Sequence, residues 1–215
     1  MGWSLSRRRL LWLAGSAGAA AALGVEPQAA AGPARTLICR EAWGARPPLG
    51  SGKPHTPTRM TLHHTEVYLA DNADAPARLR QHQRYHQDSQ GWNDIAYHIS
   101  VDSDGNLYEL RDPMVAGDTA TGYDPTNHFL VVCEGDFDEQ DVTEAQLDGA
   151  AFAFAWAHYR FGIASDTLFG HRDYSSSTTC PGANLYAHLA SGDLKRRVDE
   201  LIAAGPVELV KGCAS

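Results

Sequence analysis

Apolar and polar residues along this chain follow two periods, one typical of strands and one typical of helices. Residues 59–65 (RMTLHHT) form a run of strand length, and residues 128–135 (HFLVVCEG) are apolar enough to predict a strand buried on both faces. Residues 95–102 and 106–112 are predicted to pair as a hairpin that turns at residues 103–105. These segments predict the strands of one sheet.

Helical periodicity appears first between the first strand and the hairpin. Residues 74–91 (DAPARLRQHQRYHQDSQG) predict a helix with Asp74 as its N-cap, Pro76 in its first turn and Gly91 after its last turn. The backbone geometry and hydrogen bonding of helix ends favour each of these residue types at its position. The bounds of the helix are therefore predicted from its ends as well as from its period.

A longer helix is predicted over residues 143–162 (TEAQLDGAAFAFAWAHYRFG). Thr143 is its predicted N-cap, Gln146 completes a capping box, and Gly162 ends it. Residues 193–205 predict a closing helix, after a short segment DTLFG. Strands interleaved with long helices predict a single α/β domain, in which a mixed central β-sheet is flanked by α-helices.

The first residues have the pattern of an export signal. Arg7 to Arg9 precede a mildly apolar run that ends in small residues at Ala29 to Ala31, which predicts a signal peptide over residues 1–31. The SRRRLL stretch resembles a twin-arginine signal. The run is too short and too rich in Gly and Ala for a good membrane span. The expected organisation is a removed leader and one exported domain over residues 32–215.

Charge narrows the classes of partner. The whole chain carries −8, and residues 1–31 hold three arginines and one glutamate, so the remainder carries −10. An acidic surface of this kind argues against nucleic acid or an anionic membrane as the partner.

Four cysteines would meet an oxidising compartment after export. Cys133 alternates with apolar residues on a predicted strand, so it is interpreted as a small core residue. Cys39 and Cys213 lie near the two ends of the exported domain and are candidates for a bridge, but pairing does not follow from sequence, and both states stay open here.

Candidate chemistry lies in two segments about a hundred residues apart. TLHHT holds His63 and His64, and GHRDYSSSTTCPG holds His171 and Cys180. Imidazole and thiolate are the ligands that Zn²⁺ prefers, and three of them leave a fourth position open for water. Successive side chains on a strand point to opposite faces, so one of the two adjacent histidines reaches a given site.

The other histidines are interpreted as structural or surface residues. His82 and His86 form an HxxxH pair, but it lacks the glutamate that makes the zinc-protease motif informative. The full set with this interpretation is His55, His64, His82, His86, His98, His128, His158 and His188.

Several motifs follow one another in a recognisable order: REAWGARPP, LHHT, GWNDIAYHISVDSDGNLYELRD, EGDFDEQDVTEAQL and GHRD…TTCPG. Over about residues 37–190 the chain resembles type 2 N-acetylmuramoyl-L-alanine amidases and peptidoglycan recognition proteins. The resemblance implies Zn²⁺ held by His63, His171 and Cys180. It also implies hydrolysis of the amide that joins the lactyl group of N-acetylmuramic acid to L-alanine, with peptidoglycan or muropeptides as the partner. The loop between His171 and Cys180 is about one residue longer than is usual.

Three residues are predicted to act on the reacting atoms. Tyr97 matches a tyrosine near the metal in the family, where its phenol would stabilise an oxyanion; the alternative is a core aromatic. Glu134 resembles a glutamate of bacterial amidases and is the predicted general base; the alternative is a solvated strand end. Thr178 is predicted to donate to the oxyanion. Asp173 is predicted to orient a ligand histidine; the alternative is a carboxylate that holds a loop turn.

A groove for sugar and peptide is predicted along flat side chains with polar tips. The predicted substrate-binding residues are Tyr68, Trp92, Asn93 and Tyr123.

Two other functions stay open. One is a peptidoglycan-binding module without activity, although relatives of that kind typically lose the cysteine that is present here as Cys180. The other is a thiol hydrolase with Cys180 as nucleophile and His171 as base, which leaves His63 without a role.

Overall fold

The structure, a computed structural model, describes Met1 and residues 32–213, so the predicted signal peptide lies outside the described residues apart from its first methionine. Seven strands form one mixed sheet in the order β6-β2-β5-β3-β4-β1-β7. The strands are β1 (Ala34–Ile38), β2 (Arg59–His64), β3 (Ile99–Val101), β4 (Leu107–Glu109), β5 (His128–Cys133), β6 (Leu168–Gly170) and β7 (Glu208–Gly212). The α-helices are α1 (Arg40–Trp43), α2 (Ala75–Arg84), α3 (Glu144–Phe161), α4 (Ala183–Ala190) and α5 (Asp193–Ala204).

The strands predicted from apolar runs are confirmed. β2 lies parallel to β5 with His63 opposite Val132, and every residue of β5 is buried. β3 and β4 pair antiparallel as the predicted hairpin. Gly105 in its turn has φ 79° and lies against helix α3, where a Cβ would come 2.4 Å from the carbonyl oxygen of Ala145. The predicted mixed α/β sheet is therefore the observed one.

Of the three features predicted at the ends of α3, two are observed. The Thr143 hydroxyl accepts a hydrogen bond from the Gln146 backbone N–H, and Gly162 ends the helix in the left-handed region at φ 71°. The predicted capping box is wrong. The Gln146 side chain donates instead to the carbonyls of Val101 and Glu134, because it is buried between the helix and the sheet.

The start of α2 also differs from its prediction. The Asp74 side chain makes no capping hydrogen bond; Asp71 accepts from the Ala73 N–H and caps a preceding 3₁₀ turn. The helix then widens into a π-turn over Tyr85–Ser89 and ends before Gly91, as expected. The predicted side-chain cap at Asp74 is therefore wrong, and the aspartate that caps this segment is Asp71, at the 3₁₀ turn before the helix.

The two faces of the sheet are covered differently. Met60, Leu62 and Cys133 point to the face that packs on α3 and α5, inside the larger apolar cluster. A smaller cluster around Leu79 of α2 and Val132 of β5 fills part of the other face. Alternation along β2 and β5 therefore leaves polar residues on the α2 face.

The ends of the described domain meet at one edge of the sheet. β1 and β7 pair in parallel, and a disulfide joins Cys39 to Cys213. The sequence left this bridge open, and β1 and β7 were not predicted because their apolar residues are few. No helix within residues 32–213 has the length and apolar character needed to cross a membrane.

Candidate metal centre and cleft

His63 reaches the candidate site because it lies on the α2 face at the end of β2. Its side chain is buried, whereas the next residue, His64, turns to the opposite face and its ring lies 6.2 Å from that of Phe137. The His64 Nδ1 accepts a hydrogen bond from the Phe137 backbone N–H at 3.3 Å. Strand alternation thus separates the two adjacent histidines.

Chain segments after β6 bring the other two side chains to His63. His171 opens a 3₁₀ turn directly after Gly170, and the Arg172 backbone N–H donates to the Cys180 carbonyl at 2.9 Å, which ties the loop to this turn. One ligand atom from each of His63, His171 and Cys180 lies within 4.8 Å of the other two.

The spacing of these atoms fits Zn²⁺. The Cys180 Sγ lies 3.6 Å from the His63 Nδ1. A tetrahedral zinc with ordinary Zn–S and Zn–N bonds separates its sulfur and nitrogen ligands by about 3.6 Å. The His171 Nε2 lies 2.7 Å from the Thr121 hydroxyl, which leaves Nδ1 as the atom for a metal. The donor set and its geometry therefore suit a zinc ion.

Burial sets the protonation of these groups. It lowers the pKa of His63 well below the usual range, with the neighbouring His171 adding to the effect, and it lowers the pKa of His171 to about 4. Both imidazoles are therefore neutral at pH 7, the form that binds metals. Burial also raises the pKa of Cys180 to about 12, so the thiol ionises only when a cation takes the place of its proton.

The three residues open on a cleft of about 390 Å³. Tyr97 lies in its wall with its ring 5.0 Å from that of His63, and burial raises the pKa of its phenol well above the usual range. Thr178 also lines the cleft; its hydroxyl oxygen accepts from the Cys180 N–H, so its proton remains available to donate. Both predicted oxyanion donors therefore line the same cleft as the three candidate ligands.

Glu134, the predicted general base, is buried at the end of β5. Its side chain is 1% exposed and is not among the residues that line the cleft. One carboxylate oxygen accepts from the Ser100 hydroxyl at 2.7 Å, and the other lies 3.5 Å from the His82 Nε2. The alternative of a solvated strand end is wrong, and His82, for which the sequence predicts no role, contacts Glu134 and lines the cleft.

The predicted substrate-binding residues separate into three groups. Trp92 lines the cleft and packs on His86, with ring centroids 4.8 Å apart. Asn93 and Tyr123 line a neighbouring cavity of about 440 Å³, and the Asn93 amide donates to the Gly50 carbonyl. Tyr68 is 57% exposed and lines neither cavity.

Three further residues have contacts that the sequence does not predict. The Asp173 carboxylate accepts from the Gly170 N–H and the Tyr186 hydroxyl, so it holds the turn and the following helix rather than a ligand histidine. Thr119 and Thr121 line the cleft beside His171 and were missed. Single threonines in a loop carry no periodic signal, so only their contact with His171 identifies them.

Comparison with known proteins agrees with this site. The sequence profile of the family described as N-acetylmuramoyl-L-alanine amidase matches residues 53–183, which include all three candidate ligands. Peptidoglycan-recognition protein SC2 of Drosophila simulans is 32% identical over 156 residues, covering 70% of this chain and 83% of that protein.

A relative named for the enzymatic activity is equally similar. Human N-acetylmuramoyl-L-alanine amidase is 36% identical over 155 residues, covering 69% of this chain but 26% of that protein. Among solved structures, peptidoglycan recognition protein LE in complex with tracheal cytotoxin superposes with a TM-score of 0.67 at 28% identity, covering 77% of this chain and 98% of that one.

Proposed function

The chain belongs to the N-acetylmuramoyl-L-alanine amidase family, and on that premise we propose that it is a zinc-dependent amidase. Its substrate is the amide between the lactyl group of N-acetylmuramic acid and the L-alanine of the stem peptide, in peptidoglycan or in muropeptides. The observation that carries the proposal is the convergence of His63, His171 and Cys180 at the base of a cleft.

His63, His171 and Cys180 would hold the ion through two neutral imidazoles and one thiolate. When bound, Zn²⁺ supplies a Lewis acid that polarises the scissile carbonyl and acidifies the attacking water. Three protein ligands leave a coordination position open, which is the arrangement of catalytic rather than structural zinc sites.

The chain's own groups supply the rest of the reaction. The Tyr97 phenol, kept protonated by its raised pKa, and the Thr178 hydroxyl donate hydrogen bonds to the oxygen that gains charge in the tetrahedral intermediate. Glu134, the predicted base, is 1% exposed and does not line the cleft, so its carboxylate would assist removal of the water proton through a residue that does line the cleft. The proton is returned to the leaving amine of L-alanine.

Recognition of the substrate follows from the shape of the cleft. Trp92 offers a flat apolar face in its wall, and the neighbouring cavity shares Asp118 and Thr119 with it, so an extended ligand spans both. The solved relative bound to tracheal cytotoxin, described as monomeric diaminopimelic acid-type peptidoglycan, supports a muropeptide as the ligand. Asn93 and Tyr123 would contact it in the second cavity.

The site is also compatible with export. The disulfide between Cys39 and Cys213 is of a kind that persists in oxidising compartments. The predicted leader over residues 1–31, with its twin-arginine-like stretch, would deliver the domain to the cell wall.

A peptidoglycan-binding module is the second candidate, because relatives at similar identity are named recognition proteins. A thiol hydrolase is disfavoured, since burial raises the pKa of Cys180 to about 12 and leaves the nucleophile protonated at neutral pH.

The deciding experiment is mass spectrometry of purified muropeptides incubated with the protein, with and without a chelator. The expected products are a sugar with a free lactyl carboxylate and a peptide with a free L-alanine amine, formed only with zinc present. Binding without cleavage would identify a recognition module, and cleavage by a metal-free preparation would identify a thiol hydrolase.

A further inference from the structure

One buried carboxylate lies beside the candidate centre without opening on it. Glu134 follows the last residue of β5 on the face that carries His63, yet its side chain is 1% exposed. An ionised carboxylate at such a position needs partners, and both of its oxygens have one: Ser100 at 2.7 Å and His82 at 3.5 Å.

His82 connects this carboxylate to the cleft. It lies on α2, its side chain is 14% exposed, and it is one of the residues that line the cleft with His63, His171 and Cys180. Its Nε2 faces Glu134, and no hydrogen bond to its Nδ1 is found within the part of the chain that the structure describes. His82 therefore both contacts the Glu134 carboxylate and lines the cleft.

The His82 Nε2 lies 3.5 Å from a Glu134 carboxylate oxygen, an ion-pair distance that is long for a hydrogen bond, and this buried nitrogen has no hydrogen-bond partner among the described residues. A buried carboxylate thus contacts one nitrogen of the His82 imidazole, and the other nitrogen has no partner in the described part of the chain. In the same arrangement elsewhere, a carboxylate holds a histidine base in one tautomer and one orientation.

We propose that His82 is the catalytic base of the amidase reaction and that Glu134 is a positioning residue that acts through it. The inference rests on the proposed function. The attacking water forms a bond from its oxygen to the acyl carbon and gives a proton to the His82 Nδ1. Glu134 stabilises the resulting imidazolium. The carbon–nitrogen bond then breaks, and His82 returns the proton to the amine of L-alanine, so that one water is consumed and no other reactant is needed.

Ser100 completes the arrangement without taking part in proton transfer. Its hydroxyl donates to the carboxylate oxygen that His82 does not face, so it fixes the rotamer of Glu134. If Glu134 acts through His82, the losses of kcat from substituting the two residues should not add; if Glu134 acted directly, substituting His82 would have a separate effect.

The test is a double-variant cycle on the holoenzyme with muropeptide as substrate. We expect His82→Gln and Glu134→Gln each to lower kcat by about 10²-fold or more with little change in KM. The double variant should lose no more than about threefold beyond the worse single variant, because the residues act together. Arg84→Gln, on the exposed part of the same helix, is the matched control and should keep wild-type kcat.

Zinc content and the urea midpoint are measured for every variant, since a purely structural role of His82 would lower these rather than kcat alone. If His82→Gln does not fold, His82→Asn takes its place in the cycle. Recovery of turnover in His82→Ala by added imidazole would support the proposal. If the wild-type protein cleaves muropeptides and His82→Gln keeps kcat within threefold of the wild-type value, the role of His82 is overturned but the proposed function is not. Wild-type protein that does not cleave would overturn the proposed function itself.

Discussion

The same strands form both faces of the central sheet, but one face is packed with apolar side chains and the other carries the cleft. The face on α3 and α5 is apolar and filled, with Cys133 fully buried among Leu62 and Phe154. The face on α2 carries His63 and a cleft, and its cysteine, Cys180, lies 3.6 Å from an imidazole nitrogen. Two buried cysteines of one chain are thus a core residue and a candidate metal ligand, and the difference comes from the neighbours alone.

The residues that stabilise the fold and the residues that line the cleft lie on different faces of the sheet. Apolar burial on the α3 face contributes free energy roughly in proportion to its area. The cleft face holds buried polar groups, which cost free energy unless they are paired. Substitutions on the first face should therefore change the free energy of unfolding, and substitutions on the second should change turnover.

The two cysteines give the sharpest test. Cys180→Ser should reduce turnover to background and zinc content to near zero while the protein still binds peptidoglycan, because a hydroxyl replaces a thiolate ligand. Cys133→Ala should keep zinc and turnover and cost about 1–2 kcal/mol from the small cavity. Full activity in Cys180→Ser, measured on muropeptides with zinc determined in parallel, would contradict the ligand assignment.

A large apolar side chain tests the other face. Phe154 is fully buried and packs on Phe129 with ring centroids 6.4 Å apart. Phe154→Ala should lower the free energy of unfolding by about 3–5 kcal/mol in urea titrations. Zinc affinity below the transition should be unchanged, so a matching loss of metal would show that the two faces are coupled.

Tyr97 tests whether the cleft face acts through a donated hydrogen bond. Tyr97→Phe keeps the ring that packs 5.0 Å from His63 and removes only the hydroxyl. We expect kcat to fall about 10²–10³-fold with KM and the urea midpoint nearly unchanged. An unchanged kcat would instead favour the core-aromatic interpretation.

Acid should weaken the fold through a histidine away from the metal centre. The His98 Nε2 donates to the Val115 carbonyl and its Nδ1 accepts from the Leu130 N–H, so the ring is held neutral. Burial lowers its pKa to about 3, while an unfolded histidine titrates near 6.5. The unfolded state therefore binds more protons as pH falls from about 6.5 towards 3, and stability is lost in that window.

The measurement is urea unfolding of wild type and His98→Gln at pH 7.5 and 5.0, in chelator so that metal binding does not contribute and the other histidines contribute equally to both proteins. His98→Gln should reduce the pH dependence by up to about 1.4 kcal/mol per pH unit below 6.5. An unchanged slope would show that His98 does not set the acid sensitivity.

Much of the fold and of the site could be predicted because the signals are local. The apolar run of β5, the hairpin turn at Gly105 and the Thr143 and Gly162 caps depend on residues only a few positions apart. Errors appeared where a local signal had competing partners. Gln146 has the right spacing for a capping box, but two carbonyls of the sheet take its amide instead.

Local sequence patterns predicted strands β2 to β5, helix α3 and the class of fold, and a resemblance implied His63, His171 and Cys180 as candidate metal ligands. Tertiary contacts bring Cys180 to 3.6 Å from His63 across 117 positions of chain, join Asp173 to the Gly170 N–H, and place His82 against the buried Glu134 carboxylate. The contacts of Cys180 with His63 and of His82 with Glu134 join residues that are far apart along the chain, so no local pattern predicts them. Periodicity and capping act between near neighbours, whereas the burial of a carboxylate depends on which helix packs over its strand.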